Sequence, residues 1–222
     1  MLSVIAAISV VIWLYLTVAR GNFWTSSIRD STPPATLSHW PSVAIVIPAR
    51  NEAPCIGASV VSLLRQDYRG SVTMVVVDDD STDGTAAVAR EATRQNSGES
   101  RVKVISSHGL PPGWTGKLWA VHQGVEAAEA EAKPDYFLLT DADIVHAPDV
   151  VSWLVAKAEA GGFVLTSLLA KLRNESLAER MHVPAFVFFF EMLFPFSWVQ
   201  KAGASTAAAA GGCMLVLSLI HI

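Results

Sequence analysis

Two cysteines in 222 residues, Cys55 and Cys213, leave no room for a disulfide framework, and their wide separation matches no metal-ligand spacing. A reduced, cytosol-facing protein is the reading such usage favours. Charge is equally sparse. Asp, Glu, Lys and Arg make up 16% of the chain, the formal net charge is −4, and no basic stripe runs along any segment. Nucleic acid is excluded as a partner on those grounds. No internal repeat is evident, so the chain is not a repeat array. Apolar residues fill the space: they reach 51%, with a mean hydropathy of +0.39. Those values exceed the usual range of soluble domains and point to membrane association. The length suits one domain with a substantial core plus some additions.

The first such addition is "LSVIAAISVVIWLYLTVA", residues 2–19, which carries no charge. About 18 apolar residues in helical form just cross a bilayer. A cleaved signal peptide is the competing reading, but no Lys or Arg precedes the run and "TVARGN" is a poor cleavage site. Arg20 and Arg29 follow it, which by the positive-inside tendency keeps the rest of the chain in the cytoplasm. Residues 1–20 are therefore expected to anchor the protein in the cytoplasmic membrane, amino end outside. Residues 21–41 read as a linker, because Pro33, Pro34 and Pro41 fit no regular helix.

From Val43 onward short apolar runs alternate with helix-like stretches. Strands are expected over 43–47, 72–77, 102–105, 136–139 and 163–167, with helices over 53–65, 84–94, 119–132 and 148–160. Unbroken β-branched runs alternating with helices specify an α/β fold, a mainly parallel sheet flanked by helices. Ligands of such sheets bind beyond the carboxyl ends of the strands. The unusual chemistry sits there. "PARNE" follows the first strand, "DDD" (Asp78, Asp79, Asp80) the second and "TDAD" the fourth.

Ser81, Thr82 and Asp83, ahead of Gly84, read as helix-capping residues. Asp78 and Asp79 demand more, since two carboxylates at one strand end need donors or a cation. In "DAD" the alternation of an extended segment puts Asp141 and Asp143 on one side and Ala142 on the other. Two hard oxygen ligands at that spacing suit Mg²⁺ or Mn²⁺, ions that retain waters and share themselves with phosphates. His122 and His146 repeat at no ligand spacing and read as structural or solvated.

Taken in order, "VAIVIPARNEAPCI", "VVVDDDSTDGT", "GKLWAVHQG" and "FLLTDAD" resemble the nucleotide-sugar half of family 2 glycosyltransferases, which have the GT-A fold. The resemblance covers the domain expected over 42–216. More narrowly, "SLLAKLRNESLAERMHVPAFVFFFEMLFPF" and "AAAAGGCMLV" are similar to the hopene-associated glycosyltransferases of bacterial hopanoid gene clusters. One departure stands out: Asp80 occupies the place of the usual Gly in the "DDGS" turn, a mild change because Asp tolerates left-handed backbone.

The resemblance implies a set of roles. Asp78 and Asp79, with Pro48, Ala49, Arg50 and Glu52, would line the pocket of a nucleotide-sugar, a UDP-sugar foremost. Asp141 and Asp143 would hold Mg²⁺ or Mn²⁺ on its diphosphate, Asp143 as the direct ligand, and Lys117 would reach the sugar or diphosphate as a point charge. The acceptor would be a lipid or lipid-linked molecule and the transfer inverting. An inverting transfer needs a base. In the family this is an acid downstream of "GGCML", yet no acidic residue follows Glu191 here.

The final six residues, "LSLIHI" (217–222), can be encoded by codons resembling a transposase-end adaptor, so a truncated frame with a non-native tail is expected. A natural apolar terminal strand is the alternative. Residues 184–199 hold six of the nine phenylalanines but also Glu191 and Pro195. They read as a helix lying in the membrane interface, with a core helix as the alternative. Two other functions stay open. A nucleotidyltransferase would want a Gly-rich basic loop near the first strand, which "PARNEAP" lacks; a noncatalytic nucleotide-sugar-binding protein would need no base.

Overall fold

The computed structural model describes residues 1–25, 37–201 and 203–218. Most of the expected linker and residues 219–222 of the expected tail lie outside the described residues. In chain order the elements are α1 (Leu2–Leu14), β1 (Val43–Ala49), α2 (Ile56–Leu64), β2 (Val72–Asp78), α3 (Thr85–Gln95), β3 (Val102–Ser106) and α4 (Gly116–Ala132). They continue with β4 (Tyr136–Thr140), α5 (Val150–Gly161), β5 (Leu165–Ser167), α6 (Leu177–Leu193), α7 (Phe196–Val199) and β6 (Cys213–Leu217). The chain divides into two compact units, one of residues 33–170 with 209–222 and one of residues 1–32 with 171–208.

The first unit is built on a six-stranded sheet of order β3-β2-β1-β4-β6-β5. β1 lies centrally and pairs in parallel with β2 and β4, which explains why "VAIVI" shows no alternation: Val43 to Ile47 are at most 1% exposed. Ile45 and Ile47 face one core with Val60, Leu63, Leu138 and Leu154, while Ala44 and Val46 face the other with Val75, Val77 and Phe137. α4 closes on that second face through Gly124, where a Cβ would lie 2.4 Å from Val46 Cγ1. Helices thus cover a mainly parallel sheet, as expected.

The exception is β6. It enters between β4 and β5 antiparallel to both, with Cys213 opposite Thr140 and Leu217 opposite Tyr136. "CMLVL" is recognisable as apolar and β-prone, but its direction depends on where the preceding chain returns to the sheet. The run ends in place: Leu217 N donates to Val164 O and Ser218 N to Asp135 O. α2 starts at Ile56 rather than at 53, since Glu52 N and Ala53 N donate instead to Thr85 Oγ1 (2.8 Å) and Asp83 Oδ2 (3.0 Å). β5 begins two residues late, because α5 runs to Gly161 and Gly162 turns the chain at φ +60°.

Among the described residues of the second unit, one helical stretch is long and apolar enough to cross a membrane, Leu2–Ala19, with none of that window buried. Its last turn, Tyr15–Ala19, widens to π geometry. α6 starts at Leu177, upstream of the expected 184, because Ser176 and Glu179 form a capping box. Ser176 Oγ accepts from Glu179 N, and Glu179 Oε2 accepts from Ser176 N at 2.8 Å. Pro184 sits inside the helix, and Pro195 separates α6 from the short α7. Arg20 donates to the carbonyls of Met192 (3.1 Å) and Leu193 (3.0 Å), satisfying free acceptors at the negative end of α6. Phe23 is buried against Phe188, ring centroids 5.0 Å apart. Phe186, Phe188, Phe189 and Leu193 remain exposed.

Candidate functional site

Parallel strands in register end together, and here Ala49 stands opposite Asp78. The loops leaving β1, β2 and β4 therefore open on the same edge, joined by the first residues of α4. They enclose a cleft of about 350 Å³ lined by Pro48, Ala49, Arg50, Glu52, Asp79, Gly116, Lys117, Asp141, Ala142 and Asp143. Every residue expected for the nucleotide-sugar and metal site lies here except Asp78. Adjacent residues at a strand end project to opposite sides, so the two acids part company. Asp78 serves the β2 backbone, its carbonyl accepting Ser107 N at 2.8 Å, and its Oδ1 is buried with no hydrogen-bond partner among the described residues.

The loops are held by one another. Asp79 N donates to Ala49 O at 2.8 Å, tying the end of β2 to that of β1. Asn51, at φ +55°, accepts from Thr82 N at 2.9 Å through its side chain, while its own N–H donates to Ser81 Oγ at 3.0 Å. Ser81 and Thr82 thus brace the β1 loop rather than cap α3, correcting the sequence reading. Asp83 does serve the helix start: its Oδ1 accepts from the Thr85 hydroxyl and from Thr85 N at 3.0 Å, and these hydrogen bonds, the hydroxyl's first, pull its carboxyl below the usual range. Asp80 takes φ +57°, the left-handed conformation that Asp tolerates better than most residues.

Charge in the cleft is unbalanced. Arg50 Nη1 lies 3.6 Å from Asp79 Oδ2, and Lys117 Nζ lies 2.6 Å from Asp141 Oδ1. Glu52 and Asp143 line the same space with no cation of their own there. Desolvation first, then the charges of Asp143, Asp83 and Asp141, push the Glu52 carboxyl above its usual value. Four acids facing two bases leave two negative charges uncompensated, and hard oxygen donors in excess suit a divalent cation. Among the described residues no group of three or more His, Cys, Asp or Glu converges as a complete metal cage. The protein would then contribute one or two carboxylates, Asp141 and Asp143, leaving the other positions to phosphate oxygens and water.

Two glycines had escaped the sequence reading. At Gly116 a Cβ would stand 2.7 Å from Asp79 Oδ2, so any side chain there would push that carboxylate aside. Gly212 O accepts Asp141 N at 3.1 Å and Thr140 Oγ1 at 3.0 Å, so the residue before β6 fixes the start of "DAD". The motif "GKLWAVHQG" contained the first signal; only the sheet pairing reveals the second. His146 is structural as expected. It is buried, shares a 3.1 Å hydrogen bond with Thr140 Oγ1, and burial holds its ring below the ordinary value. His122, on α4, stacks on Trp114 at 5.1 Å and does not line the cleft.

Comparison with known proteins gives a consistent picture. The profile described as glycosyl transferase family 2 matches residues 44–218. An N-acetylglucosaminyltransferase of Mesorhizobium japonicum is 32% identical over 154 residues, 68% of this chain and 34% of that protein. A 4,4'-diaponeurosporenoate glycosyltransferase of Staphylococcus haemolyticus is 32% identical over 103 residues, 46% of this chain and 24% of that protein. The chain thus spans about a third or less of the length of these curated relatives. The fold matches that of the mannosyltransferase PcManGT from Pyrobaculum calidifontis, solved with GDP-Man and Mn²⁺, with a TM-score of 0.61 at 20% identity. That match covers 97% of this chain and 55% of the other.

Proposed function

The chain belongs to glycosyl transferase family 2, and on that premise we propose that it forms the donor-binding part of a membrane-anchored enzyme that moves a sugar from a nucleotide-sugar to a lipid or lipid-linked acceptor. The observation that carries this reading is the cleft, where the three strand-end motifs and Lys117 meet around an excess of carboxylates. Asp79, with Pro48, Ala49 and Arg50 beside it, receives the nucleoside, whose ribose hydroxyls and base N–H groups are donors a carboxylate can accept. Lys117 leaves Asp141 to meet the diphosphate. Asp141 and Asp143 hold Mg²⁺ or Mn²⁺, which would neutralise charge developing on the departing nucleoside diphosphate. The transfer is read as inverting, and no residue of this chain is assigned the base.

The relative named for 4,4'-diaponeurosporenoate supports a lipid acceptor, and the solved relative holding GDP-Man and Mn²⁺ supports a metal-dependent nucleotide-sugar site. The apolar stretch Leu2–Ala19 supports the anchor, with the catalytic unit facing the cytoplasm. The narrower hopanoid assignment rests on the sequence resemblance. Isothermal titration of the chain with UDP-sugars and GDP-sugars, with Mg²⁺ and with chelator, tests the donor site directly. Saturable, chelator-sensitive binding is expected, and its absence for every nucleotide-sugar would sink the reading. A noncatalytic binder would show the same binding, with no transfer to membrane lipids from any bound donor.

A further inference from the structure

We propose that the unit formed by residues 1–32 and 171–208 carries a binding pocket for the uncharged hydroxyl headgroup of a membrane lipid, with Glu191 as its hydrogen-bonding partner. α6 is inverted relative to an ordinary helix. Its phenylalanines and leucines are largely exposed, and its one buried residue is an acid, Glu191, at 7% exposure. Glu191 makes no hydrogen bond or ion pair with any described residue, and burial alone pushes its carboxyl upward. Its carboxyl is not sealed off but lines a cavity, where a hydrogen-bond donor entering from outside can reach it.

The space for that partner exists. Glu191 lines a cavity of about 430 Å³ together with Val18, Phe23, Phe196, Trp198 and Lys201. The volume accommodates a headgroup and its first methylenes, at the small end of ligand pockets. Its walls are mixed: aromatic and aliphatic on one side, with the Asn22 amide, Ser197 hydroxyl and Lys201 amine among the polar groups. Lys201 would repel a cationic headgroup, and the Glu191 carboxylate would repel an anionic one. A hydroxyl escapes both penalties, since it can donate to the carboxylate and accept from a donor in the same pocket. The cavity takes in Val18 and Ala19, the last residues of the membrane-crossing stretch, which is the level where headgroups meet an inserted helix. Gly21 closes the wall: Ser197 Oγ donates to its carbonyl at 2.6 Å, and a Cβ there would come within 2.9 Å of Pro195, Ser197 and Trp198.

The inference rests on the membrane reading of the first helix and deepens the proposed lipid partner, but not on the nucleotide-sugar site. The test uses the full chain in phosphatidylcholine nanodiscs without nucleotide, labelled with a diazirine-bearing hexadecanol. Crosslinks are expected in the peptides containing residues 18–25 and 191–201. Unlabelled hexadecanol should compete at least about five-fold better than its methyl ether, which cannot donate a hydrogen bond. Glu191→Gln should keep the labelling and Glu191→Leu should lose it. Equal competition by the ether, or stronger competition by hexadecylamine or palmitate, overturns the proposal. So does unchanged labelling of Glu191→Leu; if that variant fails to fold, the competition on the unaltered chain decides. Failure here leaves nucleotide binding untouched, and loss of nucleotide binding with labelling intact would refute the donor reading alone.

Discussion

Lys117 Nζ lies 2.6 Å from Asp141 Oδ1, a pairing of the one cation that α4 brings to the cleft with an acid assigned to the metal. Both partners are accessible, so the pair contributes little to stability. Its interest is that either partner can be recruited by a ligand. Lys117→Met should weaken nucleoside diphosphate binding about tenfold or more, the scale of a charged hydrogen bond. The same change frees Asp141 and should tighten Mg²⁺ binding in the absence of nucleotide. Titration calorimetry measures both, and unchanged diphosphate affinity would remove Lys117 from the site.

Asp143 and Asp149 make a controlled comparison. Both are exposed acids of the segment after β4, but only Asp143 lines the cleft, while Asp149 precedes α5 without a side-chain capping bond. Asp143→Ala should abolish the part of nucleotide binding that depends on divalent cation. Asp149→Ala should leave it intact. Equal behaviour of the two variants would argue against Asp143 as a ligand.

Gly116→Ala separates the site from the fold. The new methyl, 2.7 Å from Asp79 Oδ2, forces that carboxylate aside, yet alanine favours the start of α4 over glycine. Thermal stability should hold or rise slightly while nucleotide affinity falls about tenfold, through loss of hydrogen bonds to Asp79. A loss of stability with affinity preserved would contradict the assigned contact.

His146 should set an acid-side stability step. Burial holds its ring below the ordinary value of 6.5, so in the window below 6.5 the unfolded chain binds the extra proton. Stability is full above pH 6.5 and falls as the pH drops toward the folded-state value. Asp83 and Asp135, held below 3.8, lose their contribution only at lower pH. Glu52, raised by burial and neighbouring acids, acts in the opposite sense. Denaturant titrations across this range should show a shallower pH dependence in His146→Gln than in the parent; identical slopes would show that the ring protonates freely when folded.

Much of the sheet and its cleft was legible because it is local. A strand buried on both faces must be a continuous apolar run, as in Val43–Ala49, and a parallel sheet brings strand ends to one edge. Those two rules place Arg50, Asp79 and Asp141 together without coordinates, whereas Lys117 entered through the family resemblance. The separation of Asp78 from Asp79 follows from the two-residue period of a strand, though the sequence reading had grouped them. Even the start of α6 was written locally, in the S-x-x-E of Ser176 and Glu179.

What the sequence by itself determined, then, is the set of elements and the chemistry at their ends, since both depend on neighbours a few residues away. Tertiary structure decided the rest. β6 runs antiparallel and its preceding Gly212 braces Asp141, a contact spanning more than 70 residues. Asn51 engages Ser81 and Thr82 across 30 residues, turning presumed caps into braces. Glu191 reads in sequence as a polar interruption in a phenylalanine run, and only packing with the segment around Gly21 makes it the buried wall of a cavity. The physical reason is common to all three. Backbone propensity acts over a few residues, whereas burial and hydrogen-bond satisfaction are settled by whichever distant atoms the closed fold brings near.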